Sequence, residues 1–211
     1  MFDLNVKHAE SNLHVVLAHG AGAGLRHDFM QGMQEFLCEK GVNVWTFNFG
    51  YMQKAYAEEK KIPPSRLPTL IEEYSQVITE IRQSEPNAQL WIGGKSMGGR
   101  VACHVACQSD DIKGVAVLGY PFHPVGKPNN TRLDVLHQIE QPVIIIQGER
   151  DTFGNAQEIA DYSLPTNITV HCLPDGDHSL KPRKVSGLSH IEHMHTAASK
   201  ITQFMKGRVS E

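Results

Sequence analysis

Gln89-Leu90-Trp91-Ile92-Gly93-Gly94-Lys95-Ser96-Met97-Gly98-Gly99-Arg100 decides how this chain is read. Its first half is a short apolar run, predicted as strand over Leu90–Gly93. Its second half opens an amphipathic run, predicted as helix over Met97–Gln108. A serine between glycines at a strand-to-helix junction has the frame of a nucleophile elbow, in which a sharp bend holds the hydroxyl clear of the backbone. Such a bend stores about 1–3 kcal/mol of strain. Gly94 and Gly98 suit it because a Cβ at either would meet the turned chain. The same letters, Gly94-Lys95-Ser96, could close a phosphate-binding loop of the form G-x-x-x-x-G-K-[ST]. That pattern needs glycine where the chain has Gln89, and its loop would fall on the apolar strand.

Outward from the elbow, apolar runs alternate with helical patterns. Strands are predicted at Leu13–Ala18, Val42–Phe49, Val115–Leu118, Val143–Gln147 and Ile168–Leu173, with Phe2–Lys7 as an added edge. Helices are predicted at His27–Glu39, Leu67–Arg82, Val135–Ile139, Ala156–Tyr162 and Leu188–Met205. This rhythm specifies an α/β fold with a mostly parallel central sheet and helices on both faces. Tyr51–Ser65 breaks the rhythm with Lys54, Glu58, Glu59, Lys60, Lys61 and Pro63-Pro64, and is read as a surface excursion rather than a flap. The 211 residues are expected to form one domain that buries about 70% of its unfolded surface. With 40% hydrophobic and 20% charged residues and a net charge of −3, the composition gives no reason to expect nucleic acid or an anionic membrane as partner. The N-terminal residues lack a signal-peptide pattern, and no apolar stretch is long enough to span a bilayer. A cytoplasmic protein is expected, with Cys38, Cys103, Cys107 and Cys172 reduced and Cys103 and Cys107 in the core.

A serine hydroxyl becomes a nucleophile only when a base takes its proton and an acid holds that base in the right tautomer. On a sheet with an elbow the acid and then the base follow on loops after later strands. Asp151, just past Val143–Gln147, and His178, just past Ile168–Leu173, fit that order. Asp151 could instead cap the next helix, and Glu149 or Asp177 could stand in for it. Of the 12 histidines, His171 lies within a strand and His190, His193 and His195 within the last helix. His190 and His193 share a face but lack a further ligand at metal-site spacing, so a solvated face is expected and no metal. The glycine-rich turn His19-Gly20-Ala21-Gly22-Ala23-Gly24 offers exposed backbone N–H groups for an oxyanion. Ala21 is the chosen donor, with Gly22 as the alternative, and the Met97 N–H is its counterpart. A dinucleotide-binding turn fails here, because the third glycine falls on Leu25 or His27 and the next strand ends in Asn48-Phe49-Gly50 without an acid.

Taken together, His19-Gly20-Ala21-Gly22-Ala23, Gly94-Lys95-Ser96-Met97-Gly98-Gly99-Arg100, Gly148-Glu149-Arg150-Asp151 and Asp175-Gly176-Asp177-His178-Ser179 resemble a small, lid-less α/β-hydrolase. The likeness runs over essentially the whole chain. More narrowly, it is similar to a bacterial branch related to dienelactone hydrolases and to hydrolase-like proteins of eukaryotic chromatin complexes. The resemblance implies Ser96 as nucleophile, Asp151 as acid and His178 as base, in agreement with the residue reading. Two departures stand out: dienelactone hydrolases use a cysteine where this chain has Ser96, and many esterases place histidine or an aromatic residue where it has Lys95. Lys95 is expected to pair with Glu149 or Asp175, or else to attract an anionic substrate.

The expected function is cleavage of a carboxylic ester or thioester of a small soluble substrate, without cofactor or metal. About two dozen residues separate Leu118 from Val143, too few for a lid domain, so an open site lined by Tyr51, Met52, Tyr120, Phe122 and His123 is expected. The rival from another class is a hydrolase-like binding module that keeps the fold without the chemistry. A peptidase has no support in the sequence.

Overall fold

The computed structural model describes residues 2–208. A seven-stranded sheet runs in the order β1-β3-β2-β4-β5-β6-β7. These strands are β1 (Leu4–Lys7), β2 (Leu13–Ala18), β3 (Asn43–Phe47), β4 (Gln89–Lys95), β5 (Val115–Leu118), β6 (Val143–Gly148) and β7 (Ile168–Leu173). Among the described residues only β1 is antiparallel, pairing with β3, and the other neighbours are parallel. The helices are α1 (Asp28–Cys38), α2 (Gly50–Ala57), α3 (Leu67–Ser84), α4 (Met97–Ala106), α5 (Asp134–Gln138), α6 (Ala156–Ala160) and α7 (His190–Lys206). This is the predicted α/β architecture with helices on both faces of the sheet, and among the described residues no separate lid interrupts it: the link from β5 to β6 holds only the short α5.

Because strand side chains alternate, the sheet divides the core in two. Leu13, Val15 and Leu17 of β2 face one way, toward Phe29, Met33 and Leu37 of α1 and Ala197, Ala198 and Ile201 of α7. Val16 and Ala18 face the other way, toward Tyr74 and Val77 of α3 and Val101 and Ala102 of α4. Both faces are covered, which explains why β2, β3, β5 and β6 are buried at every position.

The strand order reverses at β2. The chain leaves β2 for β3 on one side, then returns to place β4 on the other. Loops at the carboxyl ends of β2 and β4 therefore diverge and open a crevice between them, where open α/β sheets bind ligands. Tyr74 secures this seam. Its buried hydroxyl lies 2.7 Å from the carbonyls of Val16 and Gly93 and accepts the Gly93 N–H at 3.0 Å.

Tyr51–Ser65 departs from its expected form, since its first part is helix α2. Tyr51, Met52 and Ala55 fall on one face and are buried, a spacing masked in the sequence by the interleaved Gln53 and Lys54. Cys107 also differs: Cys103 is buried, whereas Cys107 caps the end of α4 and is exposed. No helix among the described residues is long and apolar enough to cross a membrane.

Candidate active site

Ser96 sits between β4 and α4 with φ 51° and ψ −114°, a backbone state that a non-glycine residue adopts only under constraint. The constraint is visible in its neighbours. Gly94 pairs with Ala18 across β2 and β4, and any Cβ on Gly94 would strike the Ala18 carbonyl. A Cβ on Gly98 would lie 2.5 Å from the Ala18 carbonyl oxygen and 2.6 Å from that of His19. The end of β2 thus presses directly on the elbow, and glycine alone fits. The Ser96 N–H donates to the Leu118 carbonyl at 3.0 Å, tying the bend to β5 as well.

The hydroxyl meets its expected neighbours. Ser96 Oγ lies 2.8 Å from His178 Nε2, and His178 Nδ1 lies 2.7 Å from Asp151 Oδ2. A carboxylate only accepts, so Nδ1 carries the proton and Nε2 presents its lone pair to the serine. Asp151 is fully buried, and its carboxylate takes two further donors: Gln147 Nε2 on Oδ2 at 2.8 Å and the Phe153 N–H on Oδ1 at 2.8 Å. It does not cap α6; Asn155 does, in a capping box with Glu158. The Phe153 ring lies 4.3 Å from the imidazole, centroid to centroid, and limits its rotation.

The two alternative acids are engaged elsewhere. Asp177 Oδ1 accepts the N–H groups of Ser179 and Lys181 at 2.8 and 3.0 Å, closing its own turn. Glu149 Oε2 accepts the Asp175 N–H at 2.6 Å. Asp175 pairs with Arg150 and Arg183, and the Arg183 hydrogen bond above all holds its carboxyl down at about 2. Lys95 therefore has neither of its expected partners. Its ammonium is nine-tenths buried and donates to the backbone carbonyl of His178, 5.6 Å from the Phe29 ring centroid.

The glycine-rich turn after β2 owes its shape to two residues that sequence reasoning gave no role there. His19 is fully buried; its Nδ1 lies 2.7 Å from the Gly20 carbonyl oxygen and its Nε2 accepts the Phe49 N–H at 3.2 Å. That pattern requires a neutral ring, and burial pushes its pKa down to about 4. Tyr51 donates its hydroxyl to the carbonyls of Ala21 and Gly20, at 3.1 and 3.3 Å. A trans peptide points its C=O and N–H in opposite directions. Fixing the Gly20 oxygen between His19 and Tyr51 therefore fixes the Ala21 N–H on the other side. Met97, the first residue of α4, carries one of the four N–H groups that a helix start leaves without an intrahelical acceptor.

A cavity of about 300 Å³ adjoins Ser96 and His178, walled by Ala21, His27, Phe29, Met30, Lys95 and Phe153. None of the five expected lining residues walls this cavity, and of them Met52 alone lines the groove beside it. Tyr51 braces the turn from behind, and Met52 lines a neighbouring groove of about 820 Å³ with Tyr56, Lys60, Lys61, Ile62 and Pro63. Tyr120, Phe122 and His123 are buried under the β5–β6 connection, because the Tyr120 hydroxyl turns inward to the Arg132 carbonyl and Phe122 packs on Tyr120 and Tyr162. His190 and His193 were expected on a solvated face. His193 is instead buried, its Nδ1 2.8 Å from the Leu180 carbonyl, whereas His190 stays partly exposed with Nε2 2.9 Å from the Ser179 carbonyl, so both brace the loop after His178.

Residues 11–206 match the pattern of a family described as an alpha/beta hydrolase domain. Among solved structures, the chain is similar to a dienelactone hydrolase from Anabaena variabilis, with TM-score 0.76 and 15% identity over 98% of this chain and 91% of the other. It is also similar to Est1E from Butyrivibrio proteoclasticus, with TM-score 0.73 and 16% identity over 99% and 94% of the two chains. A lid-less alpha/beta serine hydrolase from Xanthomonas campestris gives TM-score 0.69 and 18% identity over 94% and 88%. At these identities the likeness is one of fold.

Proposed function

The chain belongs to the alpha/beta hydrolase family, and on that premise we propose that it is a serine hydrolase cleaving a carboxylic ester or thioester of a small substrate through an acyl-enzyme. The observation that carries this reading is the unbroken hydrogen-bonded line from Ser96 Oγ through the imidazole to the buried Asp151 carboxylate.

In the first step His178 Nε2 takes the Ser96 proton while Oγ bonds to the acyl carbon, and the carbonyl oxygen becomes an oxyanion. The N–H groups of Ala21 and Met97 receive that charge; one such donor is worth about 2.7–4 kcal/mol in the transition state. The imidazolium then gives its proton to the departing alcohol or thiol, and the bond to the acyl carbon breaks. Water enters, loses a proton to Nε2, attacks the acyl-serine and releases the acid, with the proton returned to Oγ. Asp151 holds the imidazole in the working tautomer and supports its transient charge. General-base assistance of this kind is worth about 10²–10⁴-fold.

The cavity sizes support a short acyl group. Ala21 and Gly22 line both the smaller cavity beside Ser96 and the larger groove under Met52 and Tyr56, so the two meet at the oxyanion turn. A small acyl group fits the first, walled by Phe29 and Met30, and a bulkier leaving group fits the second. Labelling with a fluorophosphonate, abolished in Ser96→Ala, is the expected result. Short nitrophenyl esters and acyl thioesters are expected to turn over with wild type and not with His178→Ala. Well-folded wild-type protein that takes no label would make the chain a binding module instead.

A further inference from the structure

We propose that Lys95 is a positioning residue for the reaction: its ammonium clamps the histidine loop to the nucleophile elbow and sets the imidazole against Ser96. The inference rests on the serine-hydrolase reading above.

Lys95 immediately precedes the nucleophile on β4, and its side chain spans three of the loops that build the site. A Cβ on Gly20 would lie 3.6 Å from Lys95 Cγ, so the stem runs along the oxyanion turn. The head donates to the His178 carbonyl, on the loop after β7. Beneath it lies Gly119, at φ 69° just past β5. A Cβ there would fall 2.8 Å from the His178 carbonyl oxygen, 3.1 Å from Lys95 Nζ and 3.3 Å from His178 Nδ1. These three atoms surround one point that any larger residue would occupy. The backbone of His178 is thus held through Nζ to the strand that ends one residue before Ser96.

The clamp is electrostatically expensive, and that expense argues for a task. Among the described residues Lys95 forms no salt bridge. Desolvation pushes its ammonium down to about 8, against the raising pull of Asp151 and Asp177. The groups facing it are Asp151 from the loop after β6, Asp177 and His178 from the loop after β7, and Phe29 from the start of α1, with His27 on the wall of the same cavity. A buried cation without a counter-ion weakens a fold, and an apolar residue of the same shape commonly serves stability as well or better. A lysine kept only to fill space would be better replaced by methionine. A lysine that aims a base is not replaceable, because a small displacement of reacting groups costs up to about 100-fold in rate.

The test compares Lys95→Met, which keeps the shape and loses charge and donor, with Lys95→Arg, which stays charged well above pH 10. On nitrophenyl acetate, Lys95→Met is expected to lose about 10- to 100-fold in kcat with KM within about twofold of wild type. Its thermal midpoint is expected to be unchanged or higher. Wild-type kcat is expected to fall as pH rises through about 8, where the ammonium discharges, a limb that neither variant shows. A kcat within twofold of wild type, a loss confined to KM, or a loss matched by a lower thermal midpoint would each overturn the clamp. Failure of the hydrolase reading looks different: wild type then shows no turnover that Ser96→Ala abolishes. In that event imidazole 15N spectra of wild type and Lys95→Met decide the clamp. Loss of the Nε2 hydrogen bond in the variant supports it, and identical spectra refute it.

Discussion

His19→Gln is expected to flatten the acid limb of this protein's stability. The imidazole is neutral and fully buried in the fold, with its pKa near 4 against 6.5 for the free side chain. Between those values the unfolded chain binds a proton that the folded chain refuses, so stability is full above pH 6.5 and drains away as pH falls toward 4. One site with this displacement loses about 2 kcal/mol between pH 6.5 and pH 4.5. His14, His104 and His171 are also lowered by burial and steepen the overall slope, but they are shared by both proteins and cancel in the comparison. Glutamine cannot titrate, and it replaces only part of the bonding to Gly20 and Phe49, so the variant starts about 1–3 kcal/mol lower at pH 7. Urea unfolding of both proteins at pH 6.5 and 4.5 measures the four free energies. The difference between the two pH losses is expected to be about 2 kcal/mol. Equal losses, within about 0.5 kcal/mol, would refute the assignment of a buried neutral ring to the oxyanion turn.

Gly98→Ala and Gly22→Ala separate the crowded elbow from the open turn. The first forces a Cβ to within 2.5 Å of a backbone carbonyl that cannot move without shifting β2; a destabilisation of about 1–3 kcal/mol or more is expected in thermal unfolding. The second meets nothing within 4 Å, and its midpoint is expected to stay within about 2 °C of wild type. Gln147→Leu withdraws the amide that holds Asp151 Oδ2, the Tyr120 carbonyl and the Gly154 carbonyl. Leaving those buried acceptors short costs about 1–3 kcal/mol of stability, and kcat is expected to fall about 10-fold as the carboxylate slackens its grip on the imidazole.

The local chemistry of this chain could be read along the chain because it is periodic or sterically forced. A short, β-branched, near-continuous aliphatic run such as Val143–Gln147 reads as a strand buried on both faces. Gly94 and Gly98 around Ser96 announce a bend no other residue tolerates. The order of Ser96, Asp151 and His178, past the carboxyl ends of β4, β6 and β7, follows from the winding of the sheet. None of that reveals which side chains face the crevice. Tyr51, Met52, Tyr120, Phe122 and His123 are near the strand ends in sequence, but helix α2 places Tyr51 behind the glycine-rich turn and Met52 along the neighbouring groove, and the inward-turned Tyr120 hydroxyl leaves Tyr120, Phe122 and His123 buried. Phe29, Met30 and Phe153 take the wall instead, delivered by a helix and a loop whose positions depend on packing. Lys95 meets a carbonyl rather than Glu149 or Asp175, because Arg150 and Arg183 hold the Asp175 carboxylate and the Asp175 N–H holds Glu149. Periodicity and steric exclusion act over a few neighbours and are written in one dimension. Competition among charges and hydroxyls for a partner is resolved only when distant segments meet.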